Sequence, residues 1–209
     1  MKTIIYVDAL NFYYGSLKHK RGERYKWLDL AQLFQILLPG HQIVRINYFT
    51  AIVKSEDGSR RQRTYIRALK AHHPEMIKVH YGRFSQERVL MKNASPPPQK
   101  CEVLRNKEKR TDVNLAARLL EDAWTLSHDE YDCAVVVSND TDLSGAMEVF
   151  KRRFPERQLW LISPRRRVSG DLREQVDSRF IRKIRRQMLK NSQLPNPIPG
   201  TNIYKPNTW

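Results

Sequence analysis

Cysteine is scarce in this sequence, and long apolar runs are missing. The 209 residues include two cysteines, Cys101 and Cys133, which form no CxxC pair, so neither a zinc ribbon nor a disulfide framework is predicted. No apolar stretch reaches the length of a membrane span, and the first residues lack the basic-then-apolar layout of a signal peptide. These features predict a cytoplasmic protein with no membrane association, and the length suits one α/β domain with additions.

Acidic residues are also few compared with basic ones. There are 22 Asp and Glu against 38 Lys and Arg, which gives a formal net charge of +16. Such an excess favours acidic partners, with a polyanion such as RNA or DNA first. A basic surface that only keeps the protein in solution, or one that binds a small anionic substrate, is the alternative.

The acids that are present occur where one predicted element gives way to another. Residues Cys133–Val137 form an apolar, β-branched run typical of a strand covered on both faces. Apolar residues then recur at helical spacing from 143 to 150, and Asp140 and Asp142 stand at the junction. In an open parallel sheet this junction is the carboxyl edge, where ligands bind. Helix capping explains acids at this position equally well without a ligand.

Two further acids occupy similar positions. The predicted strand Thr3–Val7 ends at Asp8, and Asn11 follows at the head of a short helical stretch. Asp112 stands in the first turn of a long helix that Thr111 can cap. Carboxyl ends of parallel strands meet at one edge, so Asp8 should lie beside the acids at 140 and 142, with Asp112 joining if its helix packs alongside.

The remaining patterns complete an α/β chain. Further strands are predicted at Ile43–Val53, Met76–Phe84 and Gln158–Ile162, and further helices at Trp27–Leu38 and Ser59–Ala71. Arg88–Met91 and Cys101–Leu104 are predicted to pair around a proline-rich loop. The predicted buried face of the helix after Thr111 consists of Val113, Ala116, Ala117, Leu120, Ala123 and Trp124.

Basic residues form two groups. Arg60, Arg63, Arg67 and Lys70 share one face of the helix at 59–71, which suits either phosphate binding or a solvated helix face. The second group begins at Arg165, Arg166 and Arg167 and continues to residue 190. From Asn191 the chain is predicted to be an extended tail, in which Ile203, Tyr204 and Trp209 are candidates for anchoring on the domain or stacking on bases.

Clustered carboxylates raise one another's pKa unless a cation neutralises them. Oxygen ligands favour Mg²⁺ or Mn²⁺, and the lack of histidine or cysteine among these residues argues against zinc. Such ions lower the pKa of a bound water and neutralise charge on a phosphate, which is the chemistry of metal-assisted nucleases. His72 and His73, beside Pro74, are predicted to be exposed turn residues rather than ligands, and Trp27 and Trp124 to be core residues.

Three segments together carry a family resemblance. The strand leading into residues 8–11, the segment 109–112 leading a helix, and residues 138–142 resemble the signature segments of NYN domains, within the PIN-like nuclease superfamily. The resemblance covers about residues 1–163. It implies a PIN-like three-layer α/β/α sandwich with a central, mainly parallel, five-stranded sheet.

The resemblance also implies roles for particular residues. Asp8, Asp112, Asp140 and Asp142 match the family's metal-binding acids and Asn11 its asparagine beside them, so these five are the expected catalytic residues. Arg110 stands where the family commonly has a small residue. The expected substrate-binding residues are Ser138, Asn139, Lys109, Arg60, Arg63, Arg67, Arg165, Arg166 and Arg167.

These observations predict a metal-dependent endoribonuclease, acting as an RNA-processing factor or a toxin, with Mg²⁺ or Mn²⁺ as cofactor. The alternatives are a non-catalytic RNA-binding module and, by resemblance only, a hydroxylase of pyridine compounds, for which the sequence shows no flavin fingerprint or His-rich iron motif. Expected partners are RNA, a second copy of the chain, and an antitoxin or regulatory protein. The predicted divisions are a nuclease domain at 1–165, a basic helical extension at 166–190 and a tail at 191–209.

Overall fold

Side chains of the first strand alternate between two apolar layers. The computed structural model describes residues 1–18, 23–95 and 97–207. In strand β1, Lys2–Asp8, Ile5 and Val7 pack into one buried cluster, whereas Ile4 and Tyr6 pack into another. A strand buried on both faces needs helices above and below it, so the chain forms three layers.

The main sheet has six strands, and all of its strand pairs are parallel. Their order across the sheet is β3, β2, β1, β6, β7, β8. Besides β1, the strands are β2 Gln42–Thr50, β3 Ile77–Tyr81, β6 Cys133–Val137, β7 Gln158–Ser163 and β8 Ile181–Lys183. The α/β prediction is confirmed, with one strand more than predicted. The additional strand is β8. It has only three residues and lies within a basic segment, so the sequence shows no alternating pattern that would predict it.

A two-stranded hairpin stands apart from this sheet. Strands β4, Arg83–Lys92, and β5, Lys100–Lys109, pair in antiparallel fashion. Met91 lies opposite Cys101 and Arg88 opposite Leu104, which confirms the predicted pairing. The charged residues 105–109, which precede the long helix that begins at Thr111, therefore lie in the second strand of the hairpin.

Helices cover both faces of the sheet. One face carries α1 Ala9–Phe12, which continues into a π-helical turn at Tyr13–Leu17, together with α2 Leu30–Leu37, α3 Glu56–His72 and α7 Arg186–Asn191. The other face carries α4 Thr111–Thr125, α5 Ser144–Arg153 and α6 Gly170–Glu174. In the described part of the chain, none of the helices combines the length and apolar character required to span a bilayer.

The buried face of α4 differs from the predicted one. Val113 and Trp124 are 71% and 61% exposed, so the prediction that Trp124 belongs to the core was wrong, whereas Trp27 is buried as predicted. The buried residues of α4 are Thr111, Leu115, Leu119, Asp122 and Ala123. The buried face therefore differs from the apolar stripe seen in the sequence. It includes the charged residue Asp122, whose polar partners Tyr6 and Arg45 lie on strands β1 and β2.

Residues after 165 take part in the same core. Strand β8 extends the main sheet, and in the tail Leu194 and Ile198 are buried in the cluster that contains Val7. Ile203 packs against this cluster, whereas Tyr204 is 60% exposed. Trp209 lies outside the described residues. The predicted domain divisions stay predictions.

Candidate metal centre

The order of the strands creates a crevice at the middle of the sheet, between β1 and β6. From β1 the chain passes to β2 and β3 on one side, and the strands β6, β7 and β8 lie on the other. Strand order therefore reverses between β1 and β6, which leaves a crevice at their carboxyl ends where ligands bind in open α/β sheets. Asp8 ends β1, and Ser138, Asn139 and Asp140 are the first three residues after β6.

Asp8 is buried, and two hydrogen bonds fix its carboxylate. The residue is 3% exposed. The Asn11 backbone N–H donates to Oδ1 at 3.0 Å, which caps α1, and the Ser138 hydroxyl donates to Oδ2 at 2.9 Å. Burial raises the pKa of Asp8, and these two hydrogen bonds only partly oppose the rise.

Asp112 reaches the same point from helix α4. Arg110, the N-cap residue, has φ of 80°, a left-handed conformation that is unfavourable for a side chain larger than glycine. Gly82 allows close approach here, since a Cβ on it would lie 2.5 Å from the Thr111 hydroxyl oxygen and 2.7 Å from the Lys109 carbonyl oxygen. This tight junction sets the start of α4, and with it the position of Asp112.

Asp140 comes from the turn after β6. Its Oδ1 accepts the Asp142 backbone N–H at 3.2 Å, and its own N–H donates to the Ser138 hydroxyl at 3.1 Å. One oxygen each of Asp8, Asp112 and Asp140 lie within 4.8 Å of one another. Asp142 is exposed and is not a member of this group, although its charge acts on Asp112. We call the three acids the acid cluster.

A hydrogen-bond chain connects the acid cluster to the loop after β7. The Asn139 N–H donates to the Asn11 side-chain oxygen at 3.0 Å. The Asn139 side-chain oxygen accepts from the Ser163 hydroxyl and the Ser169 N–H, both at 3.0 Å. Ser138 is fully buried, and its hydroxyl orients Asp8, whereas its predicted contact with substrate stays a prediction.

Repulsion within the acid cluster is visible in its electrostatics. The pKa of Asp112 is raised to about 7, first by burial and then by the charges of Asp8, Asp140, Glu108 and Asp142. Three carboxylate oxygens near a shared point are ligands for a hard divalent cation such as Mg²⁺ or Mn²⁺. A cation at that point would remove the repulsion that raises the pKa of Asp112.

Without a metal, the free energy of unfolding should fall as pH rises from near 3.8 to about 7. In this window folded Asp112 keeps a proton that the unfolded chain has released, so raising the pH favours unfolding. Because Asp112 is partly exposed and solvent screens its charge, we expect the free energy of unfolding to fall by about 1–2 kcal/mol over this pH range. Urea unfolding in EDTA at several pH values measures the slope, and Mn²⁺ should restore stability at pH 8 but not at pH 5.

The matched variants for this experiment are Asp112→Asn and Asp142→Asn. The first should flatten the pH dependence, because the titrating group is removed. The second should change it less, since Asp142 is exposed and its contribution to the Asp112 pKa is the smallest of those named above. An unchanged slope in Asp112→Asn would show that Asp112 is not the titrating group.

Glu108 is a site residue that sequence reasoning missed. Its carboxylate accepts the Thr111 N–H at 3.0 Å and also the Thr111 hydroxyl, and its charge raises the pKa of both Asp8 and Asp112. In the sequence it stands within a run of charged residues and gives no sign of its position. It lies three residues before Thr111, near the end of strand β5.

The predicted basic residues lie in different surroundings. Lys109 pairs with Glu87 across the hairpin at 3.0 Å, and Arg60 pairs with Glu56 and Asp57 within its own helix. Arg63 and Arg67 are exposed on the same helix. Arg165, Arg166 and Arg167 are exposed on the loop that Asn139 holds.

Two basic clefts adjoin this loop. The first, about 510 Å³, is lined by Asn139 with Arg165 and Arg167. The second, about 1070 Å³, shares Arg167 with it. The basic residues lining the second cleft are Arg166, Arg167, Arg173, Arg182, Lys183 and Arg185. Basic side chains therefore line a surface that begins at Asn139 and extends through both clefts. Asn139 is connected to Asp8 of the acid cluster by hydrogen bonds through Asn11.

An aromatic pocket lies beside Asp8 on the other side. It has a volume of about 340 Å³, and Ala9 and Leu10, which follow Asp8, line it. Its aromatic walls are Phe12, Tyr13, Tyr14, Tyr48 and Tyr65, and its cations are Lys18, Lys26 and Arg61. A pocket of this size and lining suits one aromatic ring with an anionic substituent.

Comparison with known proteins assigns the family. The sequence profile of the NYN domain matches residues 2–187. The chain belongs to the NYN domain family. This assignment confirms the resemblance found in the signature segments, and it extends the NYN match past residue 163 to include β8.

Two further similarities are informative about the NYN chain. It is 30% identical over 250 aligned positions, covering 100% of this chain and 75% of the relative, to the Pseudomonas putida protein named 6-hydroxy-3-succinoylpyridine 3-monooxygenase HspA. The solved structure of a protein of unknown function from Vibrio parahaemolyticus has a TM-score of 0.54 and 19% identity, covering 88% of this chain and 93% of that one. At that identity the likeness shows the fold alone.

Proposed function

We propose that this NYN protein is a metal-dependent endoribonuclease. The observation that carries the proposal is the acid cluster, in which three carboxylates from distant parts of the chain meet at the switch point of the sheet. Membership in a family of PIN-like nucleases supports the same class of reaction. The net charge of +16 supports a polyanionic substrate.

The donor set fits Mg²⁺ or Mn²⁺. Asp8, Asp112 and Asp140 would hold the ion, and the charge of Asp142, which acts on Asp112, would add to the attraction for it. When bound, such an ion supplies an activated water and neutralises charge that develops on the scissile phosphate.

The protein's own residues would do the positioning. Ser138 and the Asn11 N–H fix the two oxygens of Asp8, and the Asn11 side chain holds the turn that carries Asp140. Through Asn139, the same framework holds the loop of Arg165, Arg166 and Arg167. The substrate's phosphates would lie along the basic clefts, with the scissile phosphate at the acid cluster.

The test is incubation of the purified chain with labelled RNA in Mn²⁺, in Mg²⁺ and in EDTA. We expect cleavage with either ion and none in EDTA. Attack by water leaves linear phosphate and hydroxyl ends, and it does not need the ribose 2′-hydroxyl next to the cut. Cyclic phosphate ends, or an absolute need for that hydroxyl, would contradict the proposal. RNA binding that weakens steeply with salt but never leads to cleavage would favour the non-catalytic alternative.

The second candidate is hydroxylation of a pyridine compound. It is favoured by the name of the 30% identical relative and by the aromatic pocket beside Asp8. Binding of 6-hydroxy-3-succinoylpyridine, followed by fluorescence of the pocket tyrosines, tests this candidate directly. Tight binding together with no cleavage of RNA would replace the first proposal with this one.

A further inference from the structure

A second group of potential metal ligands lies outside the acid cluster. Asp29 is the N-cap of α2, His72 is the last residue of α3, and His73 follows it. One carboxylate oxygen and one ring nitrogen of each histidine lie within 4.8 Å of one another. The sequence prediction of exposed turn residues was wrong, because the histidine side chains are 28% and 21% exposed and that of Asp29 is 7% exposed.

The distances within this group suit a shared ion. The His72 Nε2 lies 3.6 Å from Asp29 Oδ2, and the His73 Nε2 lies 2.9 Å from Asp29 Oδ1. Two ligands at about 2.1 Å from a tetrahedral ion are about 3.4 Å apart. The His72 distance exceeds this value by about 0.2 Å and the His73 distance falls short of it by about 0.5 Å. Because they run to the two different oxygens of Asp29, an ion between the histidines would bind both oxygens, or one oxygen after a rotation of the carboxylate.

The framework that holds these residues together does not depend on the histidine side chains. The Tyr65 hydroxyl of α3 donates to the Leu28 carbonyl at 2.8 Å, which ties α3 to the residue before Asp29. The Asp29 N–H donates to the Ser192 carbonyl at 2.9 Å. Pro74 restricts the backbone of His73. Variants of the histidines should therefore fold.

The chemistry of the group differs from that of the acid cluster. Two imidazoles and a carboxylate suit first-row transition metals such as Zn²⁺, Co²⁺, Ni²⁺ or Fe²⁺, whereas Mg²⁺ prefers oxygen ligands alone. Burial raises the pKa of Asp29, but hydrogen bonds from His73 and the Gln32 N–H outweigh it, so the net pKa is lowered and the carboxylate is ionised. The partial exposure of both histidines leaves room for water in the remaining coordination positions.

We propose that Asp29, His72 and His73 form a binding site for one divalent transition-metal ion, separate from the acid cluster and independent of the proposed nuclease activity. The ion would join the start of α2 to the end of α3. The competing explanation is that the two histidines only form hydrogen bonds and ion pairs with Asp29. That explanation predicts a loss of stability on mutation but no metal binding by these residues.

Titration of the full chain with Co²⁺ in excess Mg²⁺ tests the proposal, since excess Mg²⁺ competes for sites made of oxygen ligands alone, and Co²⁺ in a four-coordinate site with nitrogen ligands absorbs visible light more strongly than hydrated Co²⁺. We expect one equivalent of Co²⁺ with d–d bands, displacement by Zn²⁺, and a raised melting temperature. His72→Gln and His73→Gln should each weaken binding at least about 10-fold, and the double variant should lose it. Asp29→Asn keeps an N-cap residue but should also lose affinity.

Two controls separate this site from others. His128→Gln removes an exposed histidine that pairs with Asp132, and Asp140→Asn alters the acid cluster; both should retain full Co²⁺ binding. The proposal is overturned if the double histidine variant binds Co²⁺ as the unmodified chain does, or if the folded protein adds no visible absorption to that of hydrated Co²⁺.

Discussion

Asp140→Asn should cleave RNA at least about 100-fold more slowly than the unmodified chain, a loss of about 2.7 kcal/mol of transition-state stabilisation. The substitution removes one of the three carboxylates that meet within 4.8 Å. Asparagine retains an oxygen that can accept the Asp142 N–H, so the turn after β6 should keep its shape. Initial rates at saturating Mn²⁺ measure the effect, and circular dichroism checks the fold.

Asp142→Asn is the matched control for this result. It lies two residues away, carries the same charge, and is exposed, but it is not a member of the acid cluster. We expect a decrease below about 5-fold, because loss of this charge reduces attraction for the cation without removing a ligand. A decrease as large as that of Asp140→Asn would show that Asp142 binds the metal directly, as the sequence predicts. Unchanged cleavage by Asp140→Asn would rule out the proposed mechanism.

Asp122→Ala should lower the free energy of unfolding by about 3 kcal/mol. Asp122 is 3% exposed on α4. Its Oδ2 accepts the Tyr6 hydroxyl of β1 at 2.9 Å, and its Oδ1 lies 3.2 Å from Arg45 of β2 and 3.3 Å from Arg118. Removing the carboxylate takes the acidic partner from Arg45 and the acceptor from the Tyr6 hydroxyl, and leaves Arg118 with Glu121 alone. The arginines are partly exposed, which places the expected loss at the lower end for broken buried pairs.

Glu121→Ala gives the matched control, because Glu121 is the neighbouring acid and pairs only at the surface, with Arg118 at 2.8 Å. It should cost at most about 0.5 kcal/mol. Urea unfolding at pH 7 compares the two variants. Equal stabilities would show that the Asp122 network does not hold α4 on the sheet.

The same network connects stability to the metal centre. Helix α4 carries Asp112, and Asp122 fixes that helix against β1, whose last residue is Asp8. The Asp122→Ala variant should therefore bind Mn²⁺ more weakly than Glu121→Ala, even under conditions where both are folded. Manganese titration of the two folded variants measures this difference.

Much of the metal centre could be predicted from sequence, because its acids stand at the ends of elements with clear local patterns. The apolar runs before Asp140 and Asp8 predict strands of one parallel sheet, and the structure pairs them side by side. The Asp8–Asp112–Asp140 grouping agrees with this prediction in geometry, although the roles of these residues stay proposals. Glu108 lies only three residues before Thr111, but it was missed because the charged residues around it do not show which side chain turns toward the start of the helix.

The orientation of α4 shows why helical periodicity alone was insufficient. Val113 and Trp124 belong to an apolar stripe and are exposed, whereas the charged Asp122 is buried. A charge can be buried only when another element supplies partners, and Tyr6 and Arg45 come from strands more than 70 residues away in the chain. Their contribution cannot be seen in the sequence of the helix itself.

By itself, the sequence determined the α/β class, the parallel core strands, the hairpin and the acids at the strand ends. These features depend on local backbone preferences and on apolar periodicity, both of which short segments express. The tertiary structure alone decided the sixth strand, the face of α4, and the approach of His72 and His73 to Asp29. Each of these depends on polar groups from distant segments satisfying one another, and that pairing exists only once the chain has folded.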